Sequence, residues 1–191
     1  MLDVTKSITI DEFWVFVNLP ENADRRFELI EGDIIEMAPP STWHVRIIGL
    51  IFAFLHHHVK THHLGFAFPD GCGYALSKTR IMIPDVSFVT KSRLILPLPN
   101  LFPFAPDLAV EVISPSEKET AIFEKARTYL LHGTKIVWVV FPDNKSVYVC
   151  TPAMDDSLNV KIYDVTMTLN GGDVLPNFSL SVADIFLEDE A

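Results

Sequence analysis

The sequence predicts a mixed α/β domain, a central sheet flanked by helices, and three observations point there. Apolar residues recur at helical spacing in two long stretches, β-rich apolar runs lie between and after them, and proline, glycine or polar clusters punctuate each run. A chain of 191 residues with 49% apolar composition lies in the size range of one core, so residues 1–191 are expected to form a single domain.

Thr9-Ile10-Asp11-Glu12 has the T-x-x-E form in which hydroxyl and carboxylate satisfy free amide donors reciprocally. It predicts a short helix to about Leu19, ended by Pro20. Residues 27–30 and 33–37, joined by Glu31-Gly32, read as a two-stranded hairpin, and Pro39-Pro40 separates it from a long helix. Ser41 is the cap of that helix, Ile47, Ile48, Ile51, Phe52 and Leu55 keep helical spacing behind it, and Gly65 is the expected stop. Residues 66–76, 81–89 and 108–113 are β-rich and predict central strands. A second capping box at Ser116-Glu117-Lys118-Glu119 opens a helix expected to run through Tyr129 and stop at Gly133. Residues 136–141, 146–151 and 160–167 complete the strands, before a short ending near Phe186.

The longest apolar stretch, residues 47–55, contains Gly49 and runs into three histidines, far short of the roughly 20 apolar residues of a membrane helix. Asp3 stands where a secretion signal carries positive charge, and no apolar run comes after it, so export is not expected. Cys72 and Cys150 belong to no C-x-x-C pair, in keeping with a reduced, cytoplasmic setting. The net charge of −10 argues against nucleic acid, because phosphate binding relies on Lys and Arg displacing counterions. Its distribution argues the other way. Between His44 and Arg93 six basic residues face two acids, a local charge of +4, and six of the seven histidines lie there. A phosphate-facing surface and ordinary solubilising charge both explain that segment.

Asp85 interrupts one apolar run, and Glu111, 26 positions later, interrupts another. An isolated carboxylate in such a setting is costly unless hydrogen-bonded, neutralised or bound to a cation. Either each acid stands at a strand end in water, or the two converge into a hard-oxygen site suited to magnesium; spacing leaves both open. Asp107 also follows a proline, but strand residues four apart stand about 13 Å from each other, so Asp107 and Glu111 are not expected to share an ion. His44 shares helical spacing with Ile48, Ile51 and Leu55 and is expected as a hydrogen-bonded core histidine. His58 and His62 stand one turn apart, yet zinc would need further ligands that the local sequence does not supply. His56, His57, His58, His62 and His63 read instead as a polar helix end. Trp14, Trp43 and Trp138 lie in apolar contexts and are expected in the core. The chain contains no Gly-rich phosphate loop, nucleophile elbow or H-E-x-x-H motif.

Phe27-Glu28-Leu29-Ile30-Glu31-Gly32, Pro84-Asp85-Val86, the block from Asp107 to Ser116, and Lys125-x-x-x-Tyr129-x-x-x-Gly133 occur in one order. In that order they resemble the Uma-type endonuclease family, a former domain of unknown function placed in the PD-(D/E)XK restriction-endonuclease-like superfamily. The resemblance covers nearly the whole chain and is most specific between Asp107 and Ser116. It implies a restriction-endonuclease-like sheet, nuclease activity with magnesium or manganese, and DNA as substrate. Asp85 would be the acid of the PD element and Glu111 the acid of the next strand, the two holding the metal with the carbonyl of Val112. Where the superfamily formula has lysine, two residues after Glu111, this chain has Ile113, and the resemblance moves that role to Lys125 on the following helix. There Lys125 flanks the apolar face of Ala126, Tyr129 and Leu130, from which its ammonium can reach the sheet. Glu28 and Glu31 match acids in the family's opening segment, where one would add a metal ligand or hold a water, although a hairpin turn also favours exposed acids. A homodimer is expected because cutting two strands takes two sites.

Two other functions fit the residues. A non-catalytic interaction module on a nuclease fold is favoured by the acidic charge and predicts that Asp85 and Glu111 point apart or lack room for an ion, with protein partners as the ligands. A hydrolase of a small phosphorylated or nucleotide ligand predicts stabilisation by nucleotides and none by duplex DNA.

Overall fold

In the computed structural model, which describes residues 7–114 and 118–186, Thr9 and Glu12 form the reciprocal capping box that starts α1 (Ile10–Val17). Pro20 opens a 3-10 turn, and β1 (Phe27–Ile30) and β2 (Asp33–Glu36) follow as the expected hairpin. The Ser41 hydroxyl accepts from the His44 N–H to cap α2 (Thr42–Thr61). That helix stops at a His62 cap, with His63 taking a left-handed φ of 54°, so Gly65 begins the next strand and does not itself end the helix.

Two runs expected as single strands are each divided between two sheets. Residues 66–76 split into β3 (Gly65–Pro69) and β4 (Tyr74–Ser77), and residues 81–89 into β5 (Arg80–Met82) and β6 (Val86–Thr90). Pro69 and Pro84 lack the N–H that a continuing ladder needs, and each marks a break. Asp85, expected inside a strand, therefore stands at the bend just before β6.

The larger sheet has the order β10-β9-β8-β7-β6-β3 and contains β7 (Leu108–Val112), β8 (Ile136–Phe141), β9 (Ser146–Pro152) and β10 (Leu158–Tyr163). Only β7 and β8 are parallel, joined by the crossover helix α3 (Glu119–Leu131). Lys118 occupies the cap position of α3, while the capping residues expected at Ser116 and Glu117 lie outside the described residues. The smaller sheet has the order β2-β1-β5-β4. The strand expected over 160–167 ends at Tyr163, and a hairpin of β11 (Thr168–Gly171) and β12 (Leu175–Ser181), absent from the sequence expectations, leads into α4 (Val182–Ile185).

Alternation along β7 and β8 sends Leu108, Val110, Val112, Trp138 and Val140 to the face covered by Ile47, Ile51, Leu55 and Val59 of α2. Ala109, Val137 and Val139 meet Ile122, Ala126 and Tyr129 of α3 on the other. Burial on both faces explains why these strands read as unbroken apolar runs. Phe13, Phe27, Leu29 and Ile81 seat α1 on the smaller sheet. Trp138 is fully buried and Trp43 packs against the main core, but Trp14 is 39% exposed because its neighbour Phe13 takes the inward position on α1. No helix among the described residues is long and apolar enough to cross a membrane.

Candidate active site where the two sheets meet

The β6–β7 register sets Val86 opposite Val110. Carried one step past the end of β6, it sets Asp85 opposite Glu111 on the same face of the sheet. Asp85 Oδ2 accepts from the Val112 N–H at 2.7 Å, an acceptor supplied where the ladder from β6 has run out. The other Asp85 oxygen lies 3.3 Å from His44 Nε2, which brings the first turn of α2 against it. His44 is thus buried and bonded, as expected, but its partner is a candidate site acid.

Glu111 is 4% exposed and points toward α3. Two side chains one helical turn apart meet it there: Tyr129 donates its hydroxyl to Oε1 at 2.8 Å, and Lys125 Nζ lies 3.7 Å from Oε2. Glu28 comes from the other sheet. Its neighbours Phe27 and Leu29 face α1, so alternation turns Glu28 the opposite way, where it is 2% exposed and 3.3 Å from Lys125 Nζ. Glu28, Glu36, His44, Asp85, Glu111 and Lys125 border a cleft of about 320 Å³.

Burial pushes the Glu111 carboxyl up to about 8. The Lys125 ammonium opposes that rise, Asp85 and Glu28 add to it, and the Tyr129 hydrogen bond opposes it. The Tyr129 phenol is held far above its ordinary value by burial and then by the charge of Glu111. Acids therefore outnumber cations in a poorly solvated space, an arrangement that favours a proton or a further cation.

The remaining candidates lie elsewhere. Glu31 is exposed at the hairpin turn and pairs with Arg80. Asp107, at the opposite end of β7, accepts from the Thr90 N–H at 2.8 Å and from Arg93 at 2.7 Å. His58 Nε2 lies 3.0 Å from the Pro176 carbonyl and His62 Nδ1 2.9 Å from the His58 carbonyl. Among the basic residues between 44 and 93, Arg46 sits over Trp43, Arg80 pairs with Glu31, Arg93 pairs with Asp107, and Lys60 and Lys91 line a groove along β3. The grip of Tyr129 on Glu111 was not anticipated, although the four-residue spacing from Lys125 was visible. The approach of His44 to Asp85 spans 41 positions and left no local signal.

A mixed sheet flanked by helices, with two acids at the ends of adjacent central strands and a lysine of the crossover helix facing them, defines a restriction-endonuclease-like nuclease fold. The model of the Uma2 family, described as "Putative restriction endonuclease", matches residues 15–183, and the chain belongs to that family. It is similar to a crystal structure described as a putative nuclease belonging to DUF820 from Anabaena variabilis ATCC 29413. That match has a TM-score of 0.78 and 28% identity, and covers 94% of this chain and 97% of that one. No curated protein matches the chain.

Proposed function

We propose that the protein is a metal-dependent endonuclease of PD-(D/E)XK type that hydrolyses DNA phosphodiester bonds, with Asp85 and Glu111 holding magnesium or manganese and Lys125 assisting. The observation that carries this reading is a Glu111 only 4% exposed, set opposite Asp85, with Lys125 Nζ 3.7 Å away in an open cleft. The donor set suits magnesium, which commonly rests on one or two carboxylates and completes its shell with water and substrate phosphate. Two acids meet that need, although no group of three or more His, Cys, Asp or Glu among the described residues is arranged to hold an ion. A bound ion lowers the pKa of water and offsets charge on the scissile phosphate.

The chain's own residues prepare that chemistry. Tyr129 ties down Glu111 Oε1 and leaves Oε2 toward Lys125. The Val112 N–H and His44 orient Asp85. Glu28 holds the Lys125 ammonium inside the cleft, where it can orient a water or offset charge developing on the phosphate. DNA as substrate draws on the family's description. Two copies in a homodimer would cut both strands, and a cytoplasmic setting would keep the free thiols Cys72 and Cys150 reduced.

Cleavage of supercoiled plasmid tests the proposal. Activity should require magnesium or manganese, fail with calcium alone or with excess chelator, and largely vanish in Asp85→Ala and Glu111→Ala. Equal cleavage by wild type and Asp85→Ala would mark the activity as a contaminant. It would favour the interaction-module reading, for which the pairing of Lys125 with both Glu28 and Glu111 is the supporting observation.

A further inference from the structure

Strand β3 is an edge of the larger sheet, and the register shows which of its backbone groups are spare. The Lys91 N–H donates to the Leu64 carbonyl, the Asp107 N–H to the Phe88 carbonyl, and the Thr90 N–H to the Asp107 side chain. Phe88 and Thr90 therefore address β7, whereas Ser87, Val89 and Lys91 address β3, because backbone groups alternate sides along a strand. Phe66 and Phe68, opposite Val89 and Ser87, use their N–H and C=O groups on β6. Gly65 and Ala67 turn theirs outward, and no other backbone bond reaches them among the described residues. Pro69 closes the row without a donor.

These outward groups lie in a groove of about 650 Å³. Gly65, Phe66, Ala67 and Phe68 all line it. Since successive side chains point to opposite faces, the groove follows the strand edge and does not lie over one face. Its walls are apolar, with Phe66 41% and Leu96 68% exposed. The charges at the groove are Lys60 and Lys91, beside two histidines and with no acid among the described lining residues, on a chain of net charge −10. An open edge of this kind is a template for pairing.

We propose that this edge docks an extended acidic peptide segment of a partner protein, which joins the sheet as an additional strand. Main-chain bonds to Gly65 and Ala67 hold it, alternate apolar side chains fill the groove, and its carboxylates meet Lys60 and Lys91. A second copy of this chain fits less well, because two-fold pairing of β3 with itself gathers both copies of Lys60 and Lys91 with no acid between them. The groove runs along β3, on the side of β6 away from β7, and shares no lining residue with the cleft.

Fluorescence anisotropy with a labelled short peptide alternating valine and glutamate tests this, beside a twin carrying lysine in place of glutamate. The acidic peptide should bind saturably and the lysine twin about tenfold more weakly. Ala67→Pro removes one outward N–H while leaving the β6 ladder intact, and the pair Lys60→Glu, Lys91→Glu reverses the charge at the groove. Each should weaken the acidic peptide about tenfold without altering plasmid cleavage; if the proline variant fails to fold, the charge variant decides. No saturable binding, equal binding of both peptides, or full binding by the charge variant overturns the proposal. A dimer in sedimentation that Ala67→Pro dissociates also overturns it, by assigning the edge to a second copy.

Discussion

Replacing Glu111 with glutamine should stabilise the metal-free protein, and increasingly so as pH rises. Burial holds the carboxyl up at about 8, against an ordinary value of 4.5. A carboxyl whose pKa rises on folding contributes fully below its unfolded value and loses that contribution as pH climbs to its folded value. The window is therefore pH 4.5 to about 8, and each unit within it costs about 1.4 kcal/mol. At pH 7 the wild type would have lost about 3 kcal/mol, or roughly 6 to 12 °C of melting temperature for a chain of this size. Glutamine keeps an oxygen for the Tyr129 hydroxyl but has no proton to lose, so its melting temperature should lack this slope. Differential scanning fluorimetry in chelator across the window measures the gap between the two proteins. A gap that stays constant or closes with rising pH would mean that Glu111 ionises in the ordinary carboxylate range, and the claim of a poorly solvated cleft would fall.

Three further outcomes rest on the same geometry. Asp107→Ala should leave cleavage largely intact yet cost about 2 kcal/mol in a denaturant titration, because it strands the Thr90 N–H and Arg93; an unchanged midpoint would contradict that role. Tyr129→Phe removes a hydrogen bond that favours ionised Glu111. In chelator, the fall of melting temperature with rising pH should therefore extend to higher pH in this variant, and an unshifted profile would detach Tyr129 from Glu111. Because Arg80 and Arg93, two of the six basic residues between 44 and 93, are already paired with Glu31 and Asp107, DNA affinity should depend on salt less steeply than the log–log slope of roughly −5 expected for six phosphate contacts. A slope that steep would require all six to contact phosphate after all.

The elements that could be read from the sequence are those whose signals are local. Thr9 and Glu12 cap α1 within one turn, Ser41 caps α2, and the double-sided burial of β7 and β8 appears as unbroken apolar runs. The division of residues 66–76 and 81–89 between two sheets was not legible, because a strand's choice of partner depends on residues far away in sequence. The β11–β12 hairpin was missed for another reason: β11 has the burial pattern exposed, buried, exposed, buried over only four residues, and two of them are Asn170 and Gly171.

The same contrast applies within the cleft. Asp85 and Glu111 stood out because each places a charge in an apolar run, and Lys125 entered through the family resemblance. Neither clue reveals the burial of Glu28 or the approach of His44, which arise only where the smaller sheet and α2 close on the ends of β6 and β7. Pro84 links the local clue to the distant arrangement. By ending the run from β5 it lets the chain pass from one sheet to the other. The ladder then stops one residue short, and the Val112 N–H is left to the Asp85 carboxylate. The Pro-Asp pair thus carries more than an acid: the proline opens the gap, and the aspartate spans it while facing Glu111. On this account the position of Asp85 depends on a backbone N–H left without a ladder acceptor as much as on its own charge.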